Sequence, residues 1–134
     1  FNFEYTFKSS SELYTNGFFN ETLKLILINF NNIMEIILPT LGKVANSLKN
    51  TSGQITVEGH TDNVPMAFSE RFRSNWDLSA ARSAAVADYL LDNSSVAEGR
   101  VTIVGLADTK PIRSNSTPQG RAKNRRIEVI VDGG

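Results

Sequence analysis

The stretch Ile55-Thr-Val-Glu-Gly-His-Thr-Asp62 decides the fold, together with Ser74-Asn-Trp-Asp-Leu-Ser-Ala-Ala-Arg82. A β-branched run that ends in glycine and then carries polar residues is typical of a strand that delivers side chains to a site at its carboxyl end. In the second stretch, Arg82 lies on the same helical stripe as Leu78 and is therefore expected to face inward. An inward guanidinium needs an acidic partner or a ligand carboxylate, because an unpaired buried charge is very costly. Asp62 is the candidate anion.

The composition indicates one compact globular domain. The chain has 134 residues, of which 40% are hydrophobic and 21% are charged, and its formal net charge is zero. It contains no cysteine, which excludes disulfides and thiolate metal sites. No apolar run approaches the roughly 18 residues of a membrane-spanning helix, and no signal-peptide pattern is present. Because the sequence starts on Phe1, we interpret it as a fragment of a longer protein.

In the first half of the chain, strand and helix patterns alternate. Period-two alternation over residues 1–7 predicts a strand, and residues 9–20 are polar and turn-like. A second strand is predicted over Thr22–Ile28, and a helix from Pro39. With the strand Gln54–Glu58, this unit implies a right-handed crossover and a parallel pair of strands.

The second half continues the alternation after a loop over residues 63–74. Its predicted elements are a helix from Ser74 or Asn75 to about Leu91, a strand Arg100–Val104, a short helix from about Thr117 or Pro118 to Asn124, and a last strand Ile127–Val131. The pattern predicts an α/β (α+β) two-layer sandwich, with a mixed sheet that carries its helices on one face. We expect one domain overall, in which residues 1–53 add N-terminal strands and the first helix to a core over residues 54–134.

Four ordered blocks within residues 54–131 point to a known family. They are Val57-Glu-Gly-His-Thr-Asp-Asn63, Asn75-x-x-Leu-Ser-x-x-Arg82, the pair Gly105 and Pro111, and Gly120-Arg-Ala-x-Asn-Arg-Arg126. In this combination the chain resembles the OmpA-like peptidoglycan-binding domains, whose fold is a βαβαβ(α)β mixed sheet. The long loop before Asn75 is more similar to the branch of flagellar stator B subunits (MotB/PomB type) than to Pal or OmpA.

The resemblance implies noncovalent capture of the peptidoglycan stem peptide, chiefly its diaminopimelate residue. Diaminopimelate carries an ammonium and a carboxylate on one tetrahedral carbon, so a site for it needs an anion and a cation a few ångströms apart. Asp62 and Arg82 can supply these two charges. By the family match, Asn75 and Arg125 complete the pocket, and Thr61 is a further member.

The same resemblance implies the surroundings of the domain. We expect a periplasmic domain of an inner-membrane single-pass protein, which anchors a membrane complex, the flagellar motor stator, to the cell wall. A stator subunit would be a homodimer and would contact the stator A subunit through a membrane segment outside this sequence. An outer-membrane tether of the OmpA or Pal type is the alternative. We expect no enzymatic activity, no cofactor, no metal site and no nucleic-acid partner.

Three other interpretations of these residues stay open. A hydrolase could use His60 as its base and Asp62 as the orienting group, although the sequence offers no nucleophile elbow and no metal cluster. A nucleic-acid-binding domain could use residues 121–126 as a phosphate clamp, against which stand the zero net charge and the lack of interleaved aromatic residues. Asp62 and Arg82 could also form a structural ion pair.

Two neighbours near the carboxyl end are expected to separate across the last strand. Arg125 shares its strand face with the apolar set of that strand, so it should reach a ligand carboxylate or brace Asp62. Arg126 is expected to meet Glu128 on an exposed face. Trp76 is expected to be a packing residue at the start of its helix.

Overall fold

Five strands, three α-helices and two short 3-10 turns make up the part of the chain that the computed structural model describes, residues 12–15, 22–28, 38–66 and 71–132. The strands are β1 (Glu12–Thr15), β2 (Thr22–Ile28), β3 (Ile55–His60), β4 (Val101–Gly105) and β5 (Arg126–Asp132). The helices are α1 (Leu38–Ser47), α2 (Asn75–Asp92) and α3 (Pro118–Asn124), and the turns are Leu48–Asn50 and Glu98–Arg100. None of the helices in these ranges combines the length and apolarity needed to cross a bilayer.

The strands form one mixed sheet in the order β1-β2-β5-β3-β4. β3 and β4 are parallel, whereas β5 pairs antiparallel with both β2 and β3, and β1 pairs antiparallel with β2. The hydrophobic core lies between one face of this sheet and helices α1 and α2. Its buried members are Leu41, Val44, Ala45, Leu48, Ile55, Val57, Val86, Ala87, Leu90, Val96, Ile127, Val129 and Val131. The predicted α/β sandwich with a mixed sheet is confirmed.

The expected adjacent parallel pair of β2 and β3 is wrong. Both strands pair antiparallel with β5, so they run in the same direction but have β5 between them. The strand-helix-strand pattern fixes the direction of the two strands and does not fix which strands are neighbours. The last strand of the chain therefore takes the central place in the sheet.

The expected turn over residues 9–20 is wrong for Glu12–Thr15, which is the edge strand β1. Its four residues pair with Leu25 to Ile28 of β2, so backbone hydrogen bonding across the pair overrides the polar surroundings of the segment. The strand predicted over residues 1–7 lies outside the described residues.

Helix α2 packs unusually close to the sheet. A Cβ atom built on Gly59 would lie 2.2 Å from the backbone oxygen of Ser79, and one built on Gly105 would lie 2.7 Å from the backbone nitrogen of Ala80. The two glycines therefore let α2 rest directly on β3 and β4. The hydroxyl of Ser83 adds a link by donating to the carbonyl of Val104 at 3.0 Å.

The start of α2 agrees with the sequence prediction. Ser74 is the N-cap, and its hydroxyl accepts a hydrogen bond from the backbone nitrogen of Asp77 at 3.2 Å. The cap fixes where the helix begins, and with it the positions of Asn75 and Arg82.

Candidate functional site

Asp62 is held as a fixed anion just beyond the carboxyl end of β3. Its Oδ1 accepts a hydrogen bond from the backbone nitrogen of Val64 at 2.9 Å, which folds the start of the loop into a turn around the carboxylate. Its Oδ2 accepts from Nη1 of Arg125 at 2.7 Å. The residue is 7% exposed, so both oxygens are constrained by protein contacts at the edge of solvent.

Arg82 points inward from α2, as its helical stripe predicts, and is 8% exposed. Burial and, to a smaller extent, the nearby positive charge of Arg125 lower the pKa of Arg82 to about 10, although the negative charge of Asp62 partly opposes both effects. Arg82 thus remains a cation at neutral pH in a place that disfavours its charge. A ligand carboxylate would relieve that cost.

Arg125 is the residue at which α3 ends and the chain turns into β5. Its side chain is 31% exposed and forms the ion pair with Asp62. Asp62 thus pairs directly with Arg125 and acts through its charge on Arg82, and the trio of Asp62, Arg82 and Arg125 carries a net positive charge. This arrangement suits a ligand that carries both a carboxylate and a hydrogen-bond donor.

Thr61 and Asn75 hold the loop that carries Asp62. Thr61 is buried, and its hydroxyl donates to the carbonyl of Asp62 at 2.8 Å, while its backbone nitrogen donates to the carbonyl of Ala107 at 2.8 Å. Nδ2 of Asn75 donates to the carbonyl of Val64 at 3.1 Å and reaches that of Asp62 at 3.4 Å. In this structure both residues position the backbone around the carboxylate.

Ser79 and Ala107 support the site, and the sequence did not predict this role for either residue. Ala107 has a φ of 51°, a left-handed conformation that costs a residue with a Cβ about 1 kcal/mol or more. Its backbone nitrogen donates to the hydroxyl of Ser79 at 3.0 Å, and Ser79 is fully buried. The helical spacing that places Arg82 inward also places Ser79 inward, three residues earlier, but no sequence signal marks Ala107.

The expectation that Arg126 is exposed is wrong. Arg126 is 3% exposed and Glu128 is 2% exposed, and Nε of Arg126 donates to Oε2 of Glu128. The guanidinium also donates to the carbonyls of Lys110 at 3.0 Å and Asn124 at 3.3 Å. The segment around Lys110 and the end of α3 therefore cover this part of the sheet, and the expected ion pair forms in the interior.

His60 belongs to the same buried group. Its Nε2 lies 3.3 Å from Oε1 of Glu58 and 3.8 Å from Oε2 of Glu128. Glu58, His60 and Glu128 are the described residues whose potential metal-ligating atoms lie together, within 4.8 Å of one another. The guanidinium of Arg126 already pairs with Glu128. Its positive charge disfavours a metal ion between these three residues.

The partners of these side chains argue against two of the three other interpretations, the hydrolase and the nucleic-acid-binding domain. His60 faces Glu58 and Asp62 faces Arg125, so they do not form the base and orienting pair that a hydrolase would need. The basic residues 121–126 do not form one phosphate clamp either. Arg121 donates to the carbonyl of Asn115, whereas Arg125 and Arg126 engage different carboxylates.

Trp76 is 55% exposed, so the expectation that it packs at the start of α2 is wrong. The interior side of this helix turn is filled by Leu78, Ser79 and Arg82, which are all buried. Trp76 lies three positions before the buried Ser79 and thus on the same helical stripe, but it belongs to the first turn of the helix. There its indole is exposed to solvent, beside Asn75.

The chain is similar to known proteins over most of its length. Residues 32–125 match the model of the OmpA family. The chain is 38% identical to Motility protein B of Bacillus subtilis over 95 residues, which is 70% of this chain and 36% of that protein. It is 42% identical to Peptidoglycan-binding protein ArfA of Mycobacterium tuberculosis over 110 residues, which is 78% of this chain and 32% of that protein.

A solved structure supports the same relationship. The cell wall anchor of the T6SS from Pseudomonas aeruginosa is similar with a TM-score of 0.82 and 32% sequence identity, over 91% of this chain and 88% of that chain. The present chain spans about a third of the length of the curated relatives that it matches.

Proposed function

Because the chain belongs to the OmpA family, we propose that it binds peptidoglycan noncovalently and thereby anchors a larger assembly to the cell wall. The observation that carries the proposal is the trio of Asp62, Arg82 and Arg125, in which one fixed carboxylate lies beside two guanidiniums. Two relatives support it, since one is named a peptidoglycan-binding protein and the other is described as a cell wall anchor. In this role the domain holds its ligand and performs no reaction on it.

The ligand group that fits the trio is the diaminopimelate of the stem peptide. Its side chain ends in an ammonium and a carboxylate on one carbon. Asp62 accepts hydrogen bonds from the ammonium, and the guanidinium fork of Arg82 binds the carboxylate. Arg125 keeps Asp62 in place, while Asn75 and Thr61 hold the loop that presents it.

Co-sedimentation with purified insoluble sacculi tests the proposal. Arg82→Met removes the charge and keeps most of the side-chain length, so binding should fall at least about tenfold, or roughly 1.4 kcal/mol. The control is Arg113→Met, because Arg113 is exposed and donates to the carbonyl of its own neighbour Ile112. The control should bind sacculi like the wild type.

The melting temperature separates a binding role of Arg82 from a structural one. Arg125 remains as the partner of Asp62 in Arg82→Met, so this variant should melt at about the same temperature as the wild type. A large drop in melting temperature together with lost binding would mean that Arg82 is part of a structural ion pair. Unchanged sacculus binding would reject the proposed site.

We further propose that the anchored assembly is a flagellar stator. The similarity to Motility protein B and the long loop over residues 63–74 support this branch of the family. The domain would then be the periplasmic part of an inner-membrane single-pass protein. It would act as a homodimer and reach the stator A subunit through a membrane segment outside this sequence.

Motility tests the stator role. A strain that carries Arg82→Ala in the full-length protein should build flagella but swim poorly, because the motor would lack its anchor while its assembly is untouched. Normal swimming with a leaky outer membrane would overturn the stator role in favour of an outer-membrane tether.

A further inference from the structure

The single tryptophan of the chain is exposed beside the candidate site. Trp76 lies in the first turn of α2, next to Asn75, and 55% of it is exposed to solvent. A large aromatic side chain that is left in water marks a binding surface more often than a small apolar one does, because its burial would release much free energy.

Trp76 forms one wall of a cleft with a volume of about 650 Å³, which is within the range of small-molecule sites. Pro65, Met66 and Phe72 add apolar surface to the cleft, and Asn63 and Asp108 add polar groups at its border. The cleft thus combines a flat aromatic surface with hydrogen-bonding groups.

The cleft borders the candidate site. Asn63 follows Asp62 directly in the chain, and Asn75 lines the cleft while its side chain contacts the carbonyls of Asp62 and Val64. Trp76 and Arg82 are six residues apart on one helix, which corresponds to about 9 Å along the axis and about 120° around it. A ligand that occupies the site can therefore extend into the cleft.

We propose that the cleft is a subsite for the N-acetylated amino sugar that carries the stem peptide, and that this sugar stacks on Trp76. This inference rests on the proposed binding of peptidoglycan. The C–H face of a pyranose ring is apolar and flat enough to cover an indole, while its hydroxyl and acetamide groups need partners such as Asn63 and Asp108. Two residues separate the sugar from diaminopimelate and span about 7 Å when extended, which is comparable to the distance along α2.

Calorimetric titration with two soluble probes tests the subsite. One probe is the diaminopimelate tripeptide, and the other is the same tripeptide attached to its disaccharide. The wild type should bind the disaccharide form about fivefold or more tightly than the tripeptide, as expected for a stacked aromatic contact. Trp76→Ala should remove this difference and leave tripeptide affinity within about twofold, and Trp76→Phe should retain part of it.

Fluorescence gives an independent readout because Trp76 is the sole tryptophan. The disaccharide probe should shift its emission, and the tripeptide should leave the emission nearly unchanged. The control is Ile103→Ala, which removes another exposed apolar side chain, 43% exposed on β4, and should alter neither affinity.

The two probes separate failure of the subsite from failure of the proposed function. If the wild type does not bind the tripeptide, the peptide site itself is rejected. If it binds both probes equally, or if Trp76→Ala weakens both probes by the same factor, the peptide site stands and the sugar subsite is rejected.

Discussion

Arg125 and Arg126 are neighbours in the chain, yet they hold two different carboxylates. Arg125 pairs with Asp62 at the edge of the candidate site, with 31% of its side chain exposed, whereas Arg126 pairs with Glu128 in the interior. Successive side chains of an extended segment point to opposite sides, which is why the two guanidiniums separate. We therefore propose that Arg125 contributes to ligand binding and that Arg126 has a structural role.

Alanine substitution of Arg125 should therefore weaken ligand binding, whereas alanine substitution of Arg126 should lower the stability of the fold. Arg125→Ala should weaken diaminopimelate-peptide binding at least about tenfold and lower the free energy of unfolding less than Arg126→Ala, because Arg125 is partly exposed and Asp62 keeps its hydrogen bond from Val64. Arg126→Ala should leave Glu128 buried without its cation and lower the free energy of unfolding by about 3 kcal/mol or more. Urea denaturation and calorimetry on both variants check this, and equal effects of both on binding would contradict the assignment.

At the scale of elements, the contact between α2 and β3 sets the geometry of the site. Asp62 follows β3 and Arg82 lies on α2, so the distance between helix and strand fixes the distance between the two charges. Gly59 permits that contact, because any Cβ there would meet the backbone of Ser79. Backbone atoms, unlike the end of a flexible side chain, cannot move aside without shifting the helix.

Gly59→Ala should consequently push α2 away from the sheet. We expect a loss of about 1–3 kcal/mol in the free energy of unfolding, typical of an overpacked contact, together with weaker sacculus binding. Gly99→Ala is the matched control, since a Cβ there meets nothing within 4 Å and its φ is not positive. Thermal melts and co-sedimentation measure both effects, and a Gly59→Ala protein that behaves like the control would show that this contact does not set the site.

At the scale of the whole molecule, β5 joins the two parts of the chain. It lies between β2, which comes from residues 1–53, and β3, which comes from residues 54–134. Helix α1 also adds Leu41, Val44 and Ala45 to the shared core. We therefore propose that residues 1–53 and 54–134 fold together as the one domain expected from the sequence.

A fragment of residues 54–134 tests this description. Without β2, one edge of β5 would lose its paired strand, and the core would lose the side chains of α1. We expect the fragment to be largely unfolded or aggregated by circular dichroism and size-exclusion chromatography, while the whole chain melts in one transition. A fragment that melts cooperatively near the temperature of the whole chain would contradict it.

The sequence predicts the local parts of this molecule better than its long-range parts. The bounds of α2, its cap at Ser74 and the inward direction of Arg82 follow from residue spacing within one helix. The central place of β5 and the burial of Arg126 depend on segments far apart in the chain, such as the one around Lys110 that covers Arg126. The periodicity of side chains within one element gives no information on which distant segment will cover that element.

In the proposed site, Asp62 binds the ammonium and Arg82 binds the carboxylate that diaminopimelate carries on the last carbon of its side chain. The most direct measurement is a calorimetric titration with two stem peptides that differ in their third residue, diaminopimelate or lysine. Lysine keeps the ammonium and lacks the carboxylate, so the lysine peptide should bind at least about tenfold more weakly, or roughly 1.4 kcal/mol. In Arg82→Met the two peptides should bind alike. Equal affinity of the wild-type domain for both peptides would contradict the claim.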